Sequence, residues 1–485
     1  MGGANVAIYL FELIRIKGAA MILGPTGVGL LGAYQVLLKI VGVITTDGLR
    51  NSGVRQIAQF ESENQPTSIA VVVKSIWRVS VSLAVLGSVM LFLGIDEIGS
   101  WLFSNRLDPI STLFLAVALT ISAASGCNLA LLQGTRHIKE FAIAQVLSAA
   151  FGSLICLVLY ASLGTQGIAP GLVASSLALL FFTGRFARRI ELPRIKLGFR
   201  ATIFQSRELI SLSIALIWSG LLVYALDAVA RGLLVRSFGL FSGGLYQAAW
   251  SISGLFAGFV IAAMGSDFYP RLTALIHDKT AATTLINQQT EIGVLLAVPG
   301  LALTICFATE ILAIVYSREF VSASELLRYF ALGIFGRVIS WPLGFIQLAK
   351  GKALLFLATE TFFGSLYLGG MLYFLEHHGL HGIGQAFALN YLAYTVTMLM
   401  VARRLIGFRW SSSTRTLLTQ SLIIILAGFF STFLDSEYAL AFGILITVVA
   451  TVFCVRGLAS RLGKDHPLTR TIINNPTLRK ILNIS

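Results

Sequence analysis

Seven cations stand inside, or just within, the long apolar runs of this chain: Arg15, Lys17, Lys39, Lys74, Arg78, Arg231 and Arg337. A charged side chain at the centre of a bilayer costs about 2.5–3.5 kcal/mol, so seven facing lipid would cost roughly 20 kcal/mol. That exceeds the about 5–15 kcal/mol that holds a typical domain folded. Most must therefore face a wet cavity, an interface or a counter-ion. The nearest acids are Glu12, Asp47, Asp227, Glu310 and Glu360, fewer than the cations. A net cationic cavity suits an anionic ligand such as a lipid diphosphate, and the planar guanidinium fork suits it best because it can hold two phosphate oxygens at once.

The elements that must position these groups follow from composition. Of 485 residues 56% are hydrophobic and 12% charged, against roughly a quarter charged in a soluble domain, and the mean hydropathy is +0.83. A soluble enzyme and a disordered protein are excluded. So is a nucleic-acid binder, although the net charge is +14, because the basic residues fall in short clusters between apolar runs. A crossing helix needs about 20 apolar residues. Fourteen candidate spans are read at 4–23, 29–49, 71–95, 110–133, 140–163, 168–188, 208–236, 243–264, 289–317, 324–349, 353–375, 382–402, 415–434 and 438–458. No basic leader or small-residue cleavage site precedes the first, which is expected to stay as a span. Cys127, Cys156, Cys306 and Cys454 lie in apolar runs and read as small hydrophobes.

Alternate loops differ sharply in charge. One set carries Arg50 and Arg55; Arg136 and Lys139; Arg185, Arg188, Arg189, Arg194, Lys196, Arg200 and Arg207; Arg271 and Lys279; Lys350 and Lys352; Arg403, Arg404, Arg409 and Arg415. The tail adds Arg456, Arg461, Lys464, Arg470, Arg479 and Lys480, whereas the opposite set has Arg106, Arg236 and Arg318 at its margins. The positive-inside rule puts the first set and both termini in the cytoplasm of a bacterial inner-membrane protein. The outer loops are short and leave no large extracytoplasmic domain to carry chemistry.

The chain also repeats itself. Lys17-Gly18 precedes Gly24-Pro25 and Tyr34-Gln35, as Arg231-Gly232 precedes Gly239 and Tyr246-Gln247. Leu132-Gln133 before Arg136 matches Ile346-Gln347 before Lys350, Gly167-Ile168 matches Gly382-Ile383, and Arg188-Arg189 matches Arg403-Arg404. An offset that stays near 212–215 over several matches marks a duplicated unit. Six spans per half make the repeat parallel, about an axis along the membrane normal. The expected architecture is all-α: a six-helix lobe at 1–190, a cytoplasmic linker at 191–207, a second six-helix lobe at 208–405, and an appended helix pair with a tail at 406–485. Two lobes facing a central cationic cavity could rock to give alternating access.

Within that frame Lys17 and Arg231 occupy matched repeat positions, as a diphosphate-binding pair or as structural charges. Arg15, Lys39 and Arg337 are further cavity cations. Asp227 lies one turn before Arg231, so a pair along the helix is expected; it either neutralises Arg231 or titrates during transport. Glu12, spaced to pair with Arg15, and Asp47 are further candidates for ion coupling. Arg55 and Arg271, at the inner ends of spans two and eight, form a cytoplasmic gate for a headgroup or plain positive-inside anchors, with Arg50, Lys74 and Arg78 beside them; snorkelling is the simple alternative for the last two.

The segment Lys17-Gly18-Ala19-Ala20-Met21-Ile22-Leu23-Gly24-Pro25-Thr26-Gly27-Val28-Gly29-Leu30, with Gly53-Val54-Arg55-Gln56-Ile57-Ala58-Gln59 downstream and Phe268-Tyr269-Pro270-Arg271-Leu272 after span eight, resembles Wzx-type flippases of the multidrug/oligosaccharidyl-lipid/polysaccharide (MOP) exporter superfamily. The resemblance covers roughly residues 5–405. It implies translocation of an undecaprenyl-diphosphate-linked oligosaccharide, as for O-antigen or enterobacterial common antigen, from the cytoplasmic to the periplasmic leaflet. No cofactor is expected, a monomer in contact with membrane lipid is the default, and a polysaccharide polymerase and chain-length regulator are candidate partners.

Other motifs are set aside. Gly27-Val28-Gly29-Leu30-Leu31-Gly32 matches GxGxxG but lacks the strand that a dinucleotide site needs, so it reads as helix packing. Glu376-His377-His378-Gly379-Leu380-His381 lacks metal-site order, and no Walker motif or catalytic triad stands out. Pro299 and Pro342 are expected to kink or break spans nine and ten. The competing readings are a lipid II flippase, a multidrug exporter (disfavoured by a basic cavity), a membrane polymerase or ligase (disfavoured by short outer loops) and a scaffold.

Overall fold

A computed structural model describes residues 2–103, 107–193, 195 and 198–462, and for 2, 3, 5, 199–216, 256, 257, 259–267 and 436 the backbone alone. Arg106, Arg194, Lys196, Lys464, Arg470, Arg479 and Lys480 lie outside the described residues, as do the side chains of Arg200 and Arg207.

The described chain is helical throughout. The helices are α1 (Gly2–Gly42), α2 (Gly48–Ser62), α3 (Pro66–Leu93), α4 (Ile95–Leu102), α5 (Pro109–Gly134), α6 (Ile138–Leu163), α7 (Ile168–Ala187) and α8 (Phe199–Leu275). They continue with α9 (Lys279–Cys306), α10 (Ala308–Val315), α11 (Ser324–Ala349), α12 (Ala353–His378), α13 (Leu380–Ile406), α14 (Ser412–Ser431) and α15 (Ser436–Leu462). Eleven helical stretches are long and apolar enough to cross a membrane. Three of them, of 57, 50 and 39 residues, hold two crossings each, which restores the fourteen spans read from hydropathy. The chain is a multi-pass membrane protein. Its surface agrees: Leu93, Ile314, Leu354, Phe181 and Phe433 are 67–83% exposed, a cost in water and none in lipid.

The ends of the helices are set locally. Asp108 accepts from Ser111 N at the start of α5, with Pro109 in the first turn. Asp278 accepts from Thr280 N and Ala281 N. This cap starts α9 ten residues earlier than the apolar window does, because Lys279, Thr280, Thr283, Thr284, Asn287 and Gln288 are polar yet helical. Phe307 ends α9, so the span read as 289–317 resolves into α9 and the short α10. Gly407, at φ 71°, closes α13 in the left-handed conformation. Neither Pro299 nor Pro342 breaks its helix; the loss of one backbone bond is tolerated where neighbouring helices supply packing.

Two helices are broken without a turn. α1 is interrupted at Gly24 (φ 64°, ψ −174°) and α8 at Gly239 (φ 78°, ψ 175°). This region of backbone space is essentially reserved for glycine. Pro25 then opens the second arm of α1, where its fixed φ suits a first helical position. The break redirects each helix into a second arm, 25–42 in α1 and 240–275 in α8.

The chain divides into two compact units, Met1–Gln247 with Val315–Glu319, and Ala248–Ile314 with Phe320–Ser485. Packing and duplication have different boundaries here, since α8 as far as Gln247 packs with the first unit. That unit has one core around Tyr34, Leu37, Phe103, Leu115 and Tyr160, and another around Leu49, Ile57, Val72, Ile76 and Leu131. The second unit is centred on Phe268, Ile286, Leu343, Phe363, Met398 and Phe408.

Candidate functional site

In the first unit the second arms of α1 and α8 meet at glycines. A Cβ on Gly29 would fall against Leu240 O and 2.8 Å from Gly244 N, and one on Gly244 would overlap Pro25 O. In lipid, where burial of apolar surface drives association weakly, such close backbone approach is the usual means of holding helices together. The GxGxxG run is thus a packing surface.

One turn further on, the same crossing builds a charged node. Asp227 and Arg231 sit four residues apart on α8 and pair along it: Arg231 Nε lies 3.2 Å from Asp227 Oδ1, and Nη2 lies 3.4 Å from Oδ2. Tyr246, on the second arm, donates its hydroxyl to Asp227 Oδ1 at 2.9 Å, and its ring centre lies 5.0 Å from Arg231 Cζ. Both charges are buried, Arg231 at 3% and Asp227 at 6% exposure. The remaining end of the guanidinium is unused, for Arg231 Nη1 is buried with no hydrogen-bond acceptor among the described residues. It points to α1, where a Cβ on Gly32 would overlap both Nη1 and Gln247 Oε1. A buried donor left unmade costs about 1–3 kcal/mol.

Further charges lie around the node. Lys39 has an exposed side chain with Nζ 5.7 Å from the Tyr224 ring centre. Asp227, Arg231, Glu12 and Arg15 all act on it electrostatically. Both arms of α1 and the first arm of α8 therefore contribute to one neighbourhood with three cations and two acids. Lys17 stands apart from that group. Its Nζ donates to Tyr316 O at 2.7 Å, so the matched positions Lys17 and Arg231 have unlike partners, a backbone carbonyl and a carboxylate.

The remaining sequence candidates are placed as follows. Arg337, in the second unit, is half-buried, with Cζ 5.8 Å from the Tyr391 ring centre. Tyr391 and its neighbour Tyr394, which donates to Glu360 Oε1 at 2.8 Å, complete a separate polar cluster on α11, α12 and α13. Lys74 donates to Ile195 O at 2.7 Å, tying the segment after α7 to α3. Arg50 is half-buried, its Nε without an acceptor among the described residues. Arg78 is half-buried, while Arg55, Arg271 and Asp47 are exposed. His377 Nδ1 lies 2.8 Å from Tyr373 O, His378 Nδ1 bonds Gln385 Oε1, and His381 Nε2 is 3.5 Å from Glu325 Oε2.

Tyr224, Tyr246, Tyr391, Tyr394, Gly32 and Gln247 were not singled out as site residues by residue type. Tyr246-Gln247 carried a signal nonetheless, since it repeats Tyr34-Gln35.

Fourteen crossings with a charged node between broken helices define a multi-pass membrane protein. Solved structures share this fold. One is the lipid II flippase MurJ in an inward closed conformation, with a TM-score of 0.69 and 14% identity, covering 94% of this chain and 99% of that one. Another is a multidrug resistance MATE family transporter of the MOP superfamily in an inward-facing conformation, with a TM-score of 0.66 and 14% identity, covering 82% of this chain and 94% of that one. The chain has the MOP-superfamily fold. It is also similar to the lipid III flippase of Escherichia coli (strain K12), with 23% identity over 387 residues, 78% of this chain and 90% of that protein. A family model described as polysaccharide biosynthesis protein matches residues 20–325, well over half the chain, and the chain belongs to that family. These relatives are flippases and transporters, not enzymes.

Proposed function

We propose that this protein is a flippase that carries an undecaprenyl-diphosphate-linked oligosaccharide, a repeat unit of a surface polysaccharide, from the cytoplasmic to the periplasmic leaflet by alternating access. The observation that carries the reading is the buried Arg231 Nη1, a guanidinium donor without an acceptor, beside Lys39 and Arg15. A doubly charged diphosphate supplies acceptor oxygens that suit it. Membership of a polysaccharide biosynthesis family and similarity to a lipid III flippase support the same class of cargo.

In this reading Arg231, Lys39 and Arg15 bind the diphosphate, together with Lys17, at the repeat position that matches Arg231, and Arg337 of the second lobe; the lobes are 1–190 and 208–405. Asp227 holds Arg231 in place and is the first candidate for ion coupling, ahead of Glu12 and Asp47. Arg50, Arg55, Lys74, Arg78 and Arg271 form the cytoplasmic gate, with both termini in the cytoplasm of the inner-membrane protein. A polymerase and a chain-length regulator act downstream.

The test is deletion of the gene in its host, followed by analysis of lipid-linked intermediates in spheroplasts. The expected result is diphosphate-linked repeat unit confined to the cytoplasmic leaflet, with surface polysaccharide lost. Accumulation on the periplasmic leaflet would point to a polymerase instead. Accumulation of lipid II would assign the cargo to peptidoglycan, and an unchanged lipid pool would remove lipid-linked sugar from the account.

A further inference from the structure

The Asp227–Arg231 pair is braced from the far side of a helix break. Both residues stand on the first arm of α8, whereas Tyr246 stands on the second, seven residues beyond Gly239. In an unbroken helix residues 227 and 246 would be about 28 Å apart along the axis, at about 1.5 Å per residue. The turn at Gly239 (φ 78°) instead brings the Tyr246 hydroxyl to 2.9 Å from Asp227 Oδ1. A conformation reserved for glycine therefore builds this contact.

Together Asp227 and Tyr246 fix one guanidinium. Asp227 takes its Nε and Nη2 edge, at 3.2 and 3.4 Å, which sets the direction of the plane. Arg231 Cζ lies over the Tyr246 ring, 5.0 Å from its centre, which restrains rotation of that plane. The hydroxyl in turn holds the carboxylate, by donating to the same Oδ1 that receives Nε. Nη1 is the part of the guanidinium that this brace leaves unused, buried and with no acceptor among the described residues. A guanidinium already held in one orientation loses little freedom when a ligand binds, and such preorganisation raises affinity.

The matching residues of the first half are connected differently. Tyr34-Gln35 repeats as Tyr246-Gln247, and both tyrosines are buried. Tyr34 shares a hydrogen bond with Ser111 in the first turn of α5, whereas Tyr246 bonds a carboxylate. The offset of 214 between Lys17 and Arg231 sets Leu13 opposite Asp227. The first half thus has no acid at that position for a tyrosine to hold, and Lys17 bonds a backbone carbonyl. Packing accounts for a buried ring in both halves. It does not account for the Tyr246 hydroxyl on Asp227.

We propose that Tyr246 is the positioning residue of the anion seat: through Asp227 and through its ring it holds Arg231 so that Nη1 is presented to a phosphate oxygen of the ligand. The proposal rests on the reading of Arg231 as the diphosphate ligand and names the residue that sets its geometry. The hydroxyl is committed to Asp227, so Tyr246 acts through Arg231 and not on the lipid itself.

The test uses the purified full-length protein in detergent, titrated with undecaprenyl diphosphate, with binding read by native mass spectrometry. Tyr246→Phe keeps the buried ring and removes the hydroxyl, so it should fold. It should weaken binding about ten-fold, the order of one hydrogen bond to a charged group. In an Arg231→Lys background the same change should have no further effect, because an ammonium has no plane to orient. Tyr34→Phe should bind like the parent. An equal loss in the parent and Arg231→Lys backgrounds would overturn the proposal, by marking the hydroxyl as general structure. Binding by Tyr246→Phe as tight as the parent's would overturn it too. Failure of the diphosphate reading looks different: the parent would not bind the lipid, or Arg231→Ala would bind it as the parent does, and the role of Tyr246 would fall with that reading.

Discussion

Gly29 and Gly244 each lie five residues beyond the glycine that breaks their helix, Gly24 and Gly239, and meet backbone to backbone: a Cβ on Gly29 would stand 2.8 Å from the amide nitrogen of Gly244. The two second arms therefore cross at the same distance from their breaks. Beyond that crossing stand Gly32 on one arm and Tyr246 on the other, around the paired charges Asp227 and Arg231.

The crossing predicts a large effect from one methyl group. Gly244→Ala would drive a Cβ into Pro25 O, where only a backbone shift gives relief. Overpacking of this kind costs about 1–3 kcal/mol. The purified variant should melt at lower temperature, whereas Gly254→Ala, with open space around it in the same helix, should melt like the parent or above it. Equal melting of Gly244→Ala and the parent would contradict the crossing.

The breaks at Gly24 and Gly239 are predicted to resist substitution for a different reason. Nothing crowds Gly239, and Glu319 Oε2 stands 3.6 Å from a Cβ on Gly24. The penalty is backbone conformation alone, about 1–3 kcal/mol each. Gly24→Ala and Gly239→Ala should lose similar stability in thermal unfolding, and a double variant should lose about the sum. A variant that melts like the parent would show that its helix need not break there.

Asp227 and Arg231 should behave as a unit. Removing one member of a buried pair costs about 3–5 kcal/mol because the other charge is stranded. Asp227→Asn and Arg231→Gln should each destabilise strongly, and the double variant should recover much of the loss while remaining inactive in surface polysaccharide display. Additive destabilisation in the double variant would contradict the pairing.

Glu291 should govern how α14 and α15 are held. Glu291→Ala removes the acceptor of both Arg461 Nε and Thr414 Oγ1, charge-assisted bonds worth about 1.5–3 kcal/mol each. Limited trypsin digestion should then cut faster at Arg409 and Arg415. An unchanged rate would show that apolar packing alone holds the pair.

Much of this was legible in the residues, and the limit is instructive. Fourteen spans could be read because a bilayer imposes length and polarity on each one separately. The pairing of Asp227 with Arg231 could be read because it lies within one helical turn. Gly24 and Gly239 stood out as repeat markers, and their shared conformation followed. Lys17 shows where such reading stops: its partner is the carbonyl of Tyr316, some three hundred residues away, and a backbone atom leaves no mark in sequence. Lys74 on Ile195 O is the same case. The start of α9 was read too late because 279–288 is largely polar and looks like a loop until Asn287 is seen to bond Arg409 O and Ser411 N just ahead of α14.

Reconstitution decides whether the protein is a flippase that holds its diphosphate at Arg231. Purified protein in liposomes is given an undecaprenyl-diphosphate oligosaccharide with a fluorophore on the sugar, and an impermeant quencher is added outside. Quenching with the parent should proceed past the outer leaflet toward completion, Arg231→Ala should stop at the level of protein-free liposomes, and Arg231→Lys should retain part of the activity. Quenching by the parent that stops at the protein-free level, or an Arg231→Ala variant as active as the parent, would contradict it.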